Sequence, residues 1–128
     1  MEIRTATLDD IEQICQLYNE FFAYNAKLQP EYCKEAKENG NYPKSTITDD
    51  KSDIIVAIEN NIILDFIVTA SCREKGVGAK LMDEAKKWTK TRALDYIELF
   101  ALNNAIEANR FYEKNDFVTV SHTMRCVL

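Results

Sequence analysis

Arg73, Lys75, Gly76, Gly78 and Lys80 stand within eight residues of one another in "SCREKGVGAKLMDEAKKW", residues 71–88. Two of the chain's three glycines fall in this stretch. A glycine-bearing turn that opens a helix aims several backbone N–H groups to one side, at the positive end of the helix dipole. That is a seat for phosphate. Gly76 and Gly78 let the backbone approach an anion with no Cβ in the way, and Arg73, Lys75 and Lys80 add charge at the same mouth. The pattern is not a P-loop, because no G-K-[ST] follows, and Leu81 stands where a dinucleotide fingerprint has its third glycine. Taken alone, the stretch also fits a plain strand-to-helix connection.

Metal chemistry finds no support. Cys15, Cys33, Cys72 and Cys126 are widely spaced, form no C-x-x-C, and share the chain with a single histidine, His122. They read as free thiols of a cytoplasmic protein. The 128 residues, with a net charge of −5, suit one soluble domain over residues 1–128. The acidic balance argues against nucleic acid as a partner. No run approaches the ~20 apolar residues of a membrane span, and "MEIRTATLDD" has no signal-peptide core.

The elements that must position the glycine turn follow from periodicity. Glu2–Ala6 alternates like a short strand. Thr7 and Asp10 have the spacing of a capping box. Ile11, Ile14, Cys15, Tyr18, Phe21 and Phe22 then form one helical stripe. Residues 23–51 hold Pro30, Gly40 and Pro43 and read as loop and short helix, long enough to face a substrate. Asp53–Glu59 and Ile62–Val68 read as strands joined by an Asn60–Asn61 turn. A helix runs from the glycine turn to about Arg92, followed by a strand at Tyr96–Leu102 and a helix over Asn103–Asp116. "FVTV" and "TMRCVL" can close as a hairpin. The class is mixed α/β.

"DFIVTASCREKGVGAKLM" (Asp65–Met82) resembles motif A of the GNAT superfamily of acyl-CoA-dependent N-acyltransferases, with Val68, Arg73, Gly76, Gly78 and Leu81 at the family spacing. "ANRFYEKNDF" (Ala108–Phe117) is similar to the family's second signature, with Asp116 in place of its glycine, and "IRTATLDDIEQICQLYNEF" looks like its first strand and helix. The resemblance implies a mixed, mostly antiparallel sheet flanked by helices. Here the sheet is shortened by one strand, because the Asn60–Asn61 turn leads directly into the motif A strand.

The resemblance also implies acetyl-CoA as co-substrate, with no metal. Its pyrophosphate would lie on the backbone amides of Arg73, Glu74, Lys75, Gly76, Val77, Gly78 and Ala79, and its pantetheine arm along Phe66, Ile67 and Val68. Asn103 and Asn104 fall near the position of a family coenzyme A contact. Tyr112 corresponds to the tyrosine that protonates the leaving thiolate, close to the cofactor, and Asp65 is placed to act as base. The implied reaction is direct attack of a primary amine, of a small molecule or a protein, on the thioester. The alternative is a catalytically degenerate acyl-CoA-binding or interaction domain, favoured by the lost strand. The shortened sheet also leaves apolar surface that a second copy can cover, so a homodimer is expected.

Overall fold

The computed structural model of the chain describes residues 1–60, 62–64 and 76–128. In order they form β1 (Glu2–Thr5), a 3₁₀ turn (Leu8–Asp10), α1 (Ile11–Leu28), α2 (Asn41–Thr48), β2 (Ile55–Glu59), β3 (Ile62–Leu64), α3 (Val77–Thr91) and α4 (Ile106–Lys114). The class is mixed α/β, and the described strands make one antiparallel sheet in the order β1-β2-β3.

The middle strand explains its own composition. "IVAIE" is apolar at successive positions because helices cover both of its faces. Val56 is fully buried with Ile14 and Leu17 of α1 and Ile63 of β3. Its neighbour Ala57 is fully buried on the opposite face with Val77 and Leu81 of α3. The sheet is thus sandwiched between α1 and α3, and the start of α3 is clamped to its centre.

The expected hairpin between β2 and β3 forms. Glu59 pairs with Ile62, Ile58 with Ile63 and Ala57 with Leu64, while Asn60 takes a φ of +52°, which asparagine tolerates. The outer side of β3 is met by a side chain: the Ile63 N–H donates to Gln13 Oε1 of α1 at 3.0 Å. Residues 65–68 of the expected strand lie outside the described residues.

The start of α1 also behaves as its residues dictate. The Thr7 N–H donates to Asp10 Oδ2 at 2.7 Å, and the Arg4 guanidinium grips the same carboxylate through two bonds of 2.7 and 3.0 Å. Arg4 and the Thr7 amide hold the buried Asp10 carboxyl down at about 2. α1 runs to Leu28, further than its apolar stripe, and α2 occupies residues 41–48 of the segment read as loop and short helix. Gly40 precedes α2 at φ +91°, where a Cβ would come within 3.2 Å of Ile11 Cγ2.

Two expected strand segments are not strands among the described residues. Tyr96–Leu102 pairs with no described strand, although its alternation survives: Ile97 and Leu99 are half-buried while Tyr96, Glu98 and Phe100 face out. Residues 117–128 likewise form no hairpin among the described residues; the segment is exposed from Val118 onward.

Candidate functional site

The glycine turn delivers a helix start with the properties its sequence demands. Gly76 caps α3 at φ +70°, and no side chain caps the turn. The first-turn N–H groups of Val77, Gly78 and Ala79 point out of the helix start, while Lys80 N–H closes the turn on the Gly76 carbonyl at 3.2 Å. No acidic residue lies in that turn. A Cβ built at Gly76 would have no described atom within 4 Å. Burial of Val77 and Leu81 on Ala57 fixes the direction in which they aim.

Gly78 has a second reason to be glycine. A Cβ there would come within 3.2 Å of the Phe111 ring of α4, so α4 crosses directly over the start of α3. Phe111 brings Tyr112 with it. The two rings meet edge-on at 5.6 Å, and Tyr112 meets Phe117 at 5.8 Å. The chain turns at Asp116, φ +69°, with Asp116 N–H bonded to the Glu113 carbonyl and Phe117 N–H to the Tyr112 carbonyl, both at 3.1 Å. This is a Schellman ending, complete with the apolar contact between its first and last members. Lys86 of α3 donates to the Asn115 carbonyl at 2.9 Å, tying the end of α4 back to α3.

Of the residues singled out from the sequence, the structure brings Gly76, Val77, Gly78 and Ala79 together at the mouth of α3, with Tyr112 on the helix that packs over it. Asp65, Phe66, Ile67, Val68, Arg73, Glu74 and Lys75 lie outside the described residues. Asn104 has a different engagement. Its amide nitrogen donates to the Leu28 carbonyl at 2.9 Å, and its amide oxygen accepts from Gln29 Nε2 at 2.9 Å. Gln29 also donates to Asn103 Oδ1 at 3.0 Å. These bonds pin the end of α1 to the turn that opens α4. Nothing in the local sequence of Gln29 announces this role.

A cavity of about 310 Å³ lies at the other end of α3, lined by Tyr18, Tyr42, Asp53, Trp88, Thr89 and Ile97 among others. The Asp53 carboxylate accepts from Trp88 Nε1 at 2.8 Å and from Arg92 Nη2 at 3.2 Å, and the guanidinium lies over the indole at 4.1 Å. Trp88 is eleven residues beyond Val77, roughly 16 Å along the helix. The cavity is therefore distinct from the start of α3 at Gly76.

Residues 45–119 match the model of the acetyltransferase (GNAT) domain. The chain belongs to the GNAT acetyltransferase family. It is 36% identical over 64 residues to an uncharacterised N-acetyltransferase, YhdJ, of Bacillus subtilis, a match spanning 49% of this chain and 45% of that protein. Against an uncharacterised N-acetyltransferase of Archaeoglobus fulgidus it is 26% identical over 91% of this chain and 92% of the relative. Among solved structures, the tetramutant of the BH1408 protein from Bacillus halodurans superposes with a TM-score of 0.89 at 19% identity, over the whole of both chains. The ribosomal-protein-alanine N-acetyltransferase of Brucella melitensis superposes at 0.71 and 15% identity, over 99% of this chain and 98% of that one. These likenesses show the GNAT fold.

Proposed function

We propose that this GNAT protein takes its acetyl group from acetyl-CoA and passes it, in the cytoplasm, to a primary amine that attacks the thioester directly. The observation that carries the reading is the start of α3 at Gly76, capped by no described side chain, with the Tyr112-bearing helix α4 locked over it through Phe111. Backbone amides of Val77, Gly78 and Ala79 hold the pyrophosphate, because its negative charge is opposite to the positive end of the helix dipole and it meets no Cβ at Gly76. The co-substrate supplies an activated acyl thioester. The chain's part is to position it, to accept a proton from the attacking amine, and to donate one to the departing sulfur. Tyr112 is assigned the last task, its ring fixed between Phe111 and Phe117. Asp65 is assigned the base role from its place on the strand expected to line the site, and Val68 N–H the polarisation of the thioester carbonyl on the family resemblance.

The acceptor is assigned to the cavity beside the second half of α3. Tyr42 and Thr46 of α2 line it, which agrees with a substrate-facing role for residues 23–51. Aromatic walls suit an amine with an apolar arm. A thiol-release assay with acetyl-CoA and a panel of primary amines tests the reading. Amine-dependent release of free coenzyme A is expected. Tight acetyl-CoA binding with no release for any amine would instead favour the degenerate binding domain.

A further inference from the structure

α4 carries Tyr112, yet core burial does not fix where this helix stands. None of its residues is buried among the described ones, and Phe111 and Tyr112 are half-buried. Its far end is tied to α3 through Lys86 and the Asn115 carbonyl. Its near end is tied to the end of α1. The Gln29 side-chain amide has two hydrogens, and both are used: Nε2 donates to Asn103 Oδ1 at 3.0 Å and to Asn104 Oδ1 at 2.9 Å. Asn104 returns a bond to the Leu28 carbonyl at 2.9 Å, satisfying one of the carbonyls that a helix end leaves open. Both sides of this joint are stiff. The Gln29 N–H donates to the Asn25 carbonyl at 2.9 Å, and its own carbonyl accepts from the N–H groups of Tyr32 and Cys33 at 3.0 and 2.8 Å. Across the joint, Asn109 Nδ2 of α4 donates to the Leu102 and Asn103 carbonyls at 3.0 and 3.2 Å, so the turn and the helix move as one piece.

We propose that Gln29 is a positioning residue for acetyl transfer, setting the reach of the Tyr112 hydroxyl by holding the Asn103–Asn104 turn to the end of α1. The proposal rests on the assignment of Tyr112 as proton donor to the departing sulfur. Gln29 joins the elements assigned to the two sides of the reaction. α1 carries Tyr18, and α2, beyond Gln29, carries Tyr42 and Thr46; all three line the cavity assigned to the acceptor. α4 carries the proton donor. A tie between them keeps amine and acid in one frame. Rates depend steeply on such placement, and a displacement of about 1 Å can cost ~10²-fold. The bonds from Gln29 are solvent-exposed, and exposed hydrogen bonds add only modestly to global stability. Their removal should therefore be read in turnover before it is read in Tm.

Gln29→Ala, Tyr112→Phe and the double variant test this, compared by thiol release with acetyl-CoA and the most active primary amine of the panel. Gln29→Ala should lower kcat roughly 10-fold, with acetyl-CoA affinity unchanged. In the Tyr112→Phe background the same substitution should lower kcat no further, because the hydroxyl it positions is already gone. Hydrogen exchange gives a second readout that needs no amine. Amides 109–112 should exchange faster in Gln29→Ala, while amides 15–25 of α1 keep their wild-type rates. Asn103→Ala, which removes one of the two acceptors, should fall between the wild-type protein and Gln29→Ala in both readouts. An unchanged kcat in Gln29→Ala overturns the proposal. So does a loss that persists in full in the Tyr112→Phe background, or unchanged exchange at amides 109–112. Those results would leave the Tyr112 assignment standing. Wild-type turnover in Tyr112→Phe alone, or no release with any amine, would instead overturn that assignment, and the proposal with it.

Discussion

Tyr112 and Asp10 show how differently two polar side chains act in this protein. Tyr112 is held by rings on either side, so replacing it with phenylalanine keeps the packing and removes only the hydroxyl. If that hydroxyl protonates the departing thiolate, Tyr112→Phe should lower kcat roughly 10²-fold and leave acetyl-CoA affinity nearly unchanged, as steady-state kinetics and a binding titration would read. Asp10 is structural. Its carboxyl lies near 2 in the folded chain against an ordinary 3.8, and its side chain is only 10% exposed. A depressed carboxylate contributes stability above the unfolded value and loses it as pH falls through the folded one. Asp10→Asn should therefore cost about 2 kcal/mol near neutrality. Its deficit should shrink as pH falls below about 4 and vanish near 2, because the wild-type protein loses the same interaction there. Urea titrations at a series of pH values check this; a deficit independent of pH would move the role of Asp10 from charge to shape.

The helices that build the site end in a way that offers a sharper test. α3 and α4 both close with Schellman turns, and both place a non-glycine residue at positive φ: Ala93 at +54° and Asp116 at +69°. The left-handed conformation costs such residues ~1–2 kcal/mol, which glycine avoids at the expense of a looser unfolded chain. Asp116→Gly should raise stability by about 1 kcal/mol, visible as a rise of several degrees in Tm. A lower Tm would mean that the contact between Asp116 and Lys86, at 3.9 Å, outweighs the strain. These local features were legible in advance. The Thr7–Asp10 spacing, the Asn60–Asn61 turn and an aspartate able to end α4 each depend on a few adjacent residues. The packing of Phe111 on Gly78 was not, nor were the bonds from Gln29 to Asn103 and Asn104 or from Gln13 to Ile63, because each joins elements far apart in sequence. Asn104 illustrates the limit: its position fits a cofactor contact, while its amide is bonded to the end of α1. The strand patterns at Tyr96–Leu102 and in residues 117–128 were legible as alternation, and among the described residues neither segment pairs as a strand.

For the whole molecule, the sheet fixes both the start of α3 and its separation from the aromatic cavity. Val77 and Leu81 pack on the central strand, so α3 presents its amides at one end and Trp88 at the other. Tyr42→Ala should accordingly raise KM for the amine without weakening acetyl-CoA binding; a change confined to the co-substrate would reassign the cavity. The central claim is that the start of α3 is the coenzyme A seat, and a titration of the ¹⁵N-labelled protein with acetyl-CoA tests it most directly. Saturable shifts largest at the amides of Gly76, Val77, Gly78 and Ala79, with the Trp88 indole little moved, are the predicted result. Saturable binding that leaves those four amides unshifted, or no binding at millimolar acetyl-CoA, would contradict it.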